Sequence, residues 1–236
     1  MTADDDYPGP GRKRPAMFVP GPYRPVSRSS IVELVRDNPL ATLVTSHASG
    51  QPFATHLPVI LERDALCDTG SADVGDLAGT TLLGHMNRVN PHYAVLGQRH
   101  PSLLVFTGPH GYVSPVLYDG AAAAPTWNFT AAHVRGEVTV VRGEEETRHI
   151  VTSTARLFER RFGRGWDPGS SLEYFEQILP GVGAFRMSVA VADGMFKLSQ
   201  DQPAKRRDNV AATSAADGRD LHRDLAELME RSIHSR

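Results

Sequence analysis

A single cysteine, Cys67, stands in the 236 residues, so no disulfide closes within the chain and no cysteine pair is at hand for a metal. No apolar run approaches the roughly 18 residues of a membrane-spanning helix, which argues against a membrane partner. Charge of one sign is not in excess: 25 Lys and Arg against 27 Asp and Glu leave a formal net charge of -2. That excludes a domain-wide basic surface and disfavours nucleic acid as a partner. A phosphate-cradling glycine loop, a nucleophile elbow and zinc-type Cys/His spacing are all missing. Met1 to Pro15 turns from acidic to basic without an apolar stretch, unlike a secretory signal. These absences together point to a cytoplasmic protein.

What is present is ordinary for a folded domain: 40% hydrophobic and 22% charged residues. Residues 1–16 carry charge, Pro and Gly but almost no bulky apolar groups, and read as a disordered N-terminal tail. Met17 could be the natural start. Residues 17–236 read as one domain.

Ser29 or Ser30 is placed to cap a short helix that ends at Asn38-Pro39. Leu40 to Ser46 and Phe53 to Leu61 read as a hairpin across Ala48-Ser49-Gly50-Gln51. Residues 62–79 read as loop, Thr80 to Gly84 as a strand with His85 at its end, and Asn90-Pro91 as the start of a short helix. Leu103 to Thr107 and Tyr112 to Ser114 are expected as separate strands, Ala121 to Ala124 as a loop. Val134 to Val141 alternates like a half-exposed strand. Glu144 to Phe162 is amphipathic, and Ser170 or Ser171 is placed to cap a further helix. Val182 to Val191 reads as a strand stopped by Asp193-Gly194, with Met195 to Leu198 as a short return and a helix from Asp217 to Ile233. Short strands with hairpin spacing and added helices argue a mainly β, α+β protein built on a small barrel.

Four groups of residues can carry chemistry. His85, at a strand end, can project an imidazole into a cavity, and such a nitrogen is a good axial ligand for haem iron. Gly84 beside it would let a flat macrocycle approach, and Arg88 could pair with a propionate. A histidine bonded to a neighbouring loop and a surface arginine are the alternatives. His56 shares a strand face with Ala54 and Pro58, opposite Thr55, Leu57 and Val59. It is either a structural link or a pocket group. Thr126, Trp127 and Asn128 offer a hydroxyl, an indole and an amide for the wall of a cofactor pocket, or a Trp anchor for a loop. Tyr112, Ser114 and Tyr118 form a similar set. Lys197 and Ser199 share a strand face, where the lysine binds an anion in a cleft or is solvated. Lys205-Arg206-Arg207 is too short for a nucleic-acid patch and reads as helix surface.

Several motifs occur in order: Phe18-Val19-Pro20, Ala54-Thr55-His56-Leu57-Pro58, Gly84-His85, Gly108-Pro109-His110, Tyr112-Val113-Ser114-Pro115, Pro125-Thr126-Trp127-Asn128 and Lys197-Leu198-Ser199-Gln200. Through them the chain resembles the PaiB-type, FMN-binding family over about residues 17–230. The resemblance implies a dimeric split β-barrel with cofactor sites near the dimer interface. Two positions depart from the flavin pattern. Ser114-Pro115-Val116-Leu117-Tyr118 lacks the usual Trp, and Asp201 replaces the usual Asn.

Longer runs resemble a branch of that family, the piperazate synthases. They include Gly84-His85-Met86-Asn87-Arg88, Ala124 to Thr130, Ile178 to Arg186 and Ala192 to Gln200. That resemblance implies haem b with His85 as axial ligand, N5-hydroxy-L-ornithine as substrate and L-piperazic acid as product. The N–OH nitrogen would become electrophilic as water leaves, and the α-amine would close a six-membered ring. Proximity in one pocket can be worth about 7–11 kcal/mol. His56, Tyr112 and Lys197 are the candidate proton donors, and Arg135 or Lys197 the candidate carboxylate anchor. The rivals are an FMN-binding oxidoreductase of the same fold and a PaiB-like transcriptional regulator.

Overall fold

The computed structural model describes residues 16–67, 69–118, 123–217 and 220–234. The expected disordered tail therefore lies outside the described residues except for Ala16, and so do the first two residues of the Ala121 to Ala124 loop.

Six antiparallel strands close into a barrel in the order β1-β2-β3-β6-β5-β4. They are β1 (Leu40–Ser46), β2 (Pro52–Leu61), β3 (Thr81–Asn87), β4 (His100–Val113), β5 (Thr126–Val140) and β6 (Val182–Lys197). Period-two alternation sends one set of side chains inward. Leu43, Leu57, Leu82, Leu104, Phe106, Val134, Phe185 and Met187 fill the barrel. Burying each such side chain contributes roughly 1.5–3 kcal/mol.

Helices cover parts of this wall: α1 (Ser29–Asp37), α2 (Glu62–Ala65), α3 (Pro91–Val95), α4 (Glu144–Phe162), α5 (Leu172–Ile178), α6 (Ala204–Ala216) and α7 (Asp220–His234). Ile31, Val32, Leu34 and Val35 of α1 join the barrel core. Its first turn is held by Ser27, whose Oγ accepts from the Ser30 amide at 3.3 Å, rather than by Ser29 or Ser30. Ile150 and Leu157 of α4 pack on Ile60, Leu83 and Ala184, outside the barrel. Val210 and Ala211 of α6 pack with Leu225 and Met229 of α7 against Val113, Tyr118 and Leu198. Ser171 stands at the N-cap of α5 as expected, but without a side-chain hydrogen bond; the turn before it is held by Asp167, whose Oδ1 accepts from the Gly169 amide at 2.9 Å. None of the described helices is long and apolar enough to cross a membrane.

The strands run longer than local pattern implies. The break expected between Thr107 and Tyr112 is a bulge within β4, where the register shifts between Thr107 and His110. Pro109 has no N–H for the ladder, and a bulge accommodates that without ending the strand. Pro125 to Thr130, read as a pocket wall or a loop anchor, falls almost wholly inside β5. Asp193-Gly194 does not stop β6, so Met195 to Lys197 is no separate return. Asp193 accepts from Arg135 at 2.7 Å across the sheet, and a Cβ on Gly194 would stand 2.8 Å from Ile31, so glycine here serves close packing of α1. Residues 62–65, expected as loop, form α2, which places Asp64 against Arg36.

Candidate cofactor and substrate sites

His85 lies inside β3, not at its end, two residues before Asn87. Its neighbours Leu82 and Met86 face the barrel core, whereas Leu83 packs outside with Ala184, the residue opposite His85. Alternation therefore puts the imidazole on the outer wall. There Nδ1 is buried and has no hydrogen-bond partner. Burial pushes the ring below the ordinary histidine range, so it is neutral at neutral pH and keeps a lone pair for a ligand. Gly84 does not serve this face. A Cβ there would stand 2.4 Å from the Phe185 ring, inside the barrel, so its smallness is spent on core packing.

His92 shows what a satisfied buried histidine looks like in the same molecule. Its Nε2 meets Thr45 Oγ1 and its Nδ1 meets Thr55 Oγ1, both at 2.8 Å, and its ring stacks on Phe53 at 5.3 Å.

The other expected site residues divide between two regions. The register Val59 to Gly84 brings the outer faces of β2 and β3 together, so His56 and His85 stand on one wall. His56 is exposed and pairs through Nδ1 with Thr42 Oγ1 at 2.9 Å. Arg88 is exposed, with Nε donating to the Val182 carbonyl at 3.2 Å. Tyr112 and Trp127 face each other across β4 and β5 with ring centroids 6.0 Å apart, 53% and 52% exposed. Arg135 is bound to Asp193 at 2.7 Å, which removes it as an uncommitted carboxylate anchor.

Thr126, Asn128 and Lys197 come together elsewhere, in a cavity of about 310 Å³ that also takes in Tyr23, Tyr118, Ser199, Asp201 and Arg206. Lys197 Nζ donates to Thr126 Oγ1 and stands 5.8 Å from the Tyr23 ring centroid. Arg206 lies over the Tyr118 ring at 5.6 Å. The basic run read as helix surface thus sends one arginine into a cavity. Burial, reinforced by Asp201, raises both tyrosines above the ordinary phenol range, so both remain hydrogen-bond donors. Ser199 has φ 61°, alone among the described non-glycine residues in the left-handed region. Gln200 fixes that turn: its Oε1 accepts from the Leu198 amide at 2.6 Å and its Nε2 donates to the Phe196 carbonyl.

Sequence reasoning missed Tyr23, Asp201 and Arg206 as parts of this cavity. The Lys197-Leu198-Ser199-Gln200 motif points toward it, but Tyr23 arrives from a segment more than a hundred residues away and leaves no local signal.

Residues 17–191 match the family model described as "Putative FMN-binding domain". The chain belongs to this family. Within the FMN-binding family, it is 27% identical over 215 residues to the protein of Bacillus subtilis named protease synthase and sporulation protein PAI 2, covering 91% of this chain and 97% of that one. The fold resembles that of an FAD and haem binding protein from Mycobacterium smegmatis, with TM-score 0.52, 16% identity and 80% of each chain covered. It also resembles a conserved hypothetical protein from Mycobacterium tuberculosis, with TM-score 0.51, 14% identity, and 79% and 94% covered. The antiparallel six-stranded sheet with added helices agrees with the split barrel expected for this family.

Proposed function

We propose that this member of the FMN-binding family is a haem enzyme that converts N5-hydroxy-L-ornithine to L-piperazic acid by forming an N–N bond. The observation that carries the reading is His85, a half-buried neutral imidazole whose buried Nδ1 is unpartnered on the outer barrel wall. An orphaned buried nitrogen costs roughly 1–3 kcal/mol, and a ligand on that face relieves it. The fold of the Mycobacterium smegmatis protein named for FAD and haem supports the reading at the level of architecture.

Haem iron, when bound, supplies a centre able to polarise an N–OH nitrogen and assist departure of its oxygen. His85 holds the group. His56, on the same wall and free of burial, is the side chain best placed to deliver a proton to the leaving oxygen. Tyr112 and Lys197 stand at the far ends of β4 and β6. Arg88, exposed three residues beyond His85, offers a cation for a propionate.

A second reading, FMN as the cofactor, is favoured by the family match itself. The cavity with the two cations is the natural seat for a flavin phosphate, but the Asp201 carboxylate in its lining opposes a dianion.

A visible spectrum of the purified protein separates the two. A Soret band lost in His85→Ala supports haem; flavin absorption, or full haem occupancy in that variant, removes it. Incubation with N5-hydroxy-L-ornithine should then yield a cyclic product lighter by one water.

A further inference from the structure

We infer that the cavity bounded by β5, β6, α6 and Tyr23 is a recognition site for the head group of an α-amino acid. The inference rests on the proposed cyclase in naming an ornithine-like ligand, but the argument is the charge pattern of the cavity. Lys197 and Arg206 both line it, and neither forms an ion pair among the described residues. Around them stand the hydroxyls of Thr126 and Tyr118, donors suited to a carboxylate, while that of Tyr23 is directed at Asp201. One carboxylate, Asp201, shares the space.

Two cations and one anion complement a zwitterion: carboxylate toward Lys197 and Arg206, ammonium toward Asp201. A phosphate would meet Asp201 as a like charge, and a simple amine would meet both cations. At about 310 Å³ the cavity is at the small end of ligand sites, which run from roughly 300 to 1,000 Å³. The backbone supports a built site. Ser199 is held at φ 61° and pinned to Asn128, and such strain gathers where function requires a fixed geometry.

The cavity is separate from the His85 wall. Ala184, opposite His85, and Lys197 lie thirteen residues apart on β6, roughly 40 Å of extended strand. An ornithine-like ligand held here would reach a group on the His85 wall only where that wall belongs to a second copy of the chain.

Calorimetric titration of the full-length protein with L-ornithine tests the inference. L-Ornithine should bind, putrescine, which lacks the carboxylate, should not, and inorganic phosphate should not compete. Lys197→Met and Arg206→Ala should each weaken L-ornithine binding roughly 10- to 100-fold, the loss of one charge-assisted hydrogen bond, with the visible spectrum unchanged. Unaltered binding in both variants, competition by phosphate or FMN, or loss of haem from either variant would overturn it. Because the titration does not depend on haem, a wild-type protein without a Soret band defeats the proposed cyclase while leaving the binding result to stand or fall separately.

Discussion

Asn128 on β5 and Ser199, just beyond β6, bond to each other twice: Nδ2 donates to Oγ at 2.9 Å and Oγ approaches Oδ1 at 3.1 Å, with the asparagine wholly buried. The pair ties the strained turn to the barrel wall beneath the cavity. Ser199→Ala strips a buried amide of its partner and should cost about 1–3 kcal/mol in urea unfolding. Ser199→Gly loses the same bond but relieves the left-handed backbone, and should cost less. Equal losses would mean that backbone strain here is negligible.

His85 and His92 should separate in their variants. His92→Ala leaves Thr45 and Thr55 without their shared partner and should lower stability by about 1–3 kcal/mol while keeping any Soret band. His85→Ala should do the reverse, abolishing the band with little change in the unfolding midpoint of the cofactor-free protein.

The acid limb of stability carries a histidine signature. Burial is the main cause that holds His92 and His133 below the ordinary value of 6.5. The unfolded chain therefore binds protons that the folded chain refuses in the window just below 6.5. Stability is complete above that value and falls as pH drops through it, by at most about 1.4 kcal/mol per pH unit for each proton. Urea midpoints between pH 7 and 5 should decline, and less steeply in His92→Gln. A decline toward alkaline pH instead would reverse the sign and refute the assignment.

Arg36 and Asp64 form a buried bidentate pair at 2.8 and 2.6 Å, and Asp64 also accepts from the Ala72 amide at 2.8 Å. Asp64→Ala leaves a guanidinium with little water, no counter-charge and only the Ala72 carbonyl, at 2.6 Å, as partner, a change that typically costs about 3–5 kcal/mol. Arg36→Met combined with Asp64→Leu should recover part of that loss. A double variant as unstable as Asp64→Ala would show that the pair itself, not the unpaired charge, matters.

If the amino-acid head group and the iron belong to different copies of the chain, inactive His85→Ala and Lys197→Met proteins should regain turnover when co-expressed. A mixed dimer then retains one intact site. Absence of recovery in a verified mixed dimer would place both residues in a single-chain site.

How much could be read without coordinates follows the range of each interaction. The β1–β2 hairpin, α1, α4 and the face assignment of His56 rest on side-chain periods of two and 3.6, which neighbours along the chain reveal. Lys205-Arg206-Arg207 lies on helix α6 as expected, but that reading misses the cavity under Arg206, because the face of α6 that meets Tyr118 is chosen by packing on β4 and α7, not by local pattern. Gly84 looked like room for a ligand, and only the position of Phe185 shows that its space is taken.

The order of motifs along the sequence determined the family and the barrel class, and singled out His85 as a candidate. Closure of the barrel decided the rest. It carried β4 and β6 through Pro109 and Gly194, because cross-strand bonds and core contacts outweigh local turn preference. It also left His85 unpartnered on one wall and gathered Tyr23, Lys197 and Arg206 around a distant cavity, since long-range packing sets which polar groups share a space.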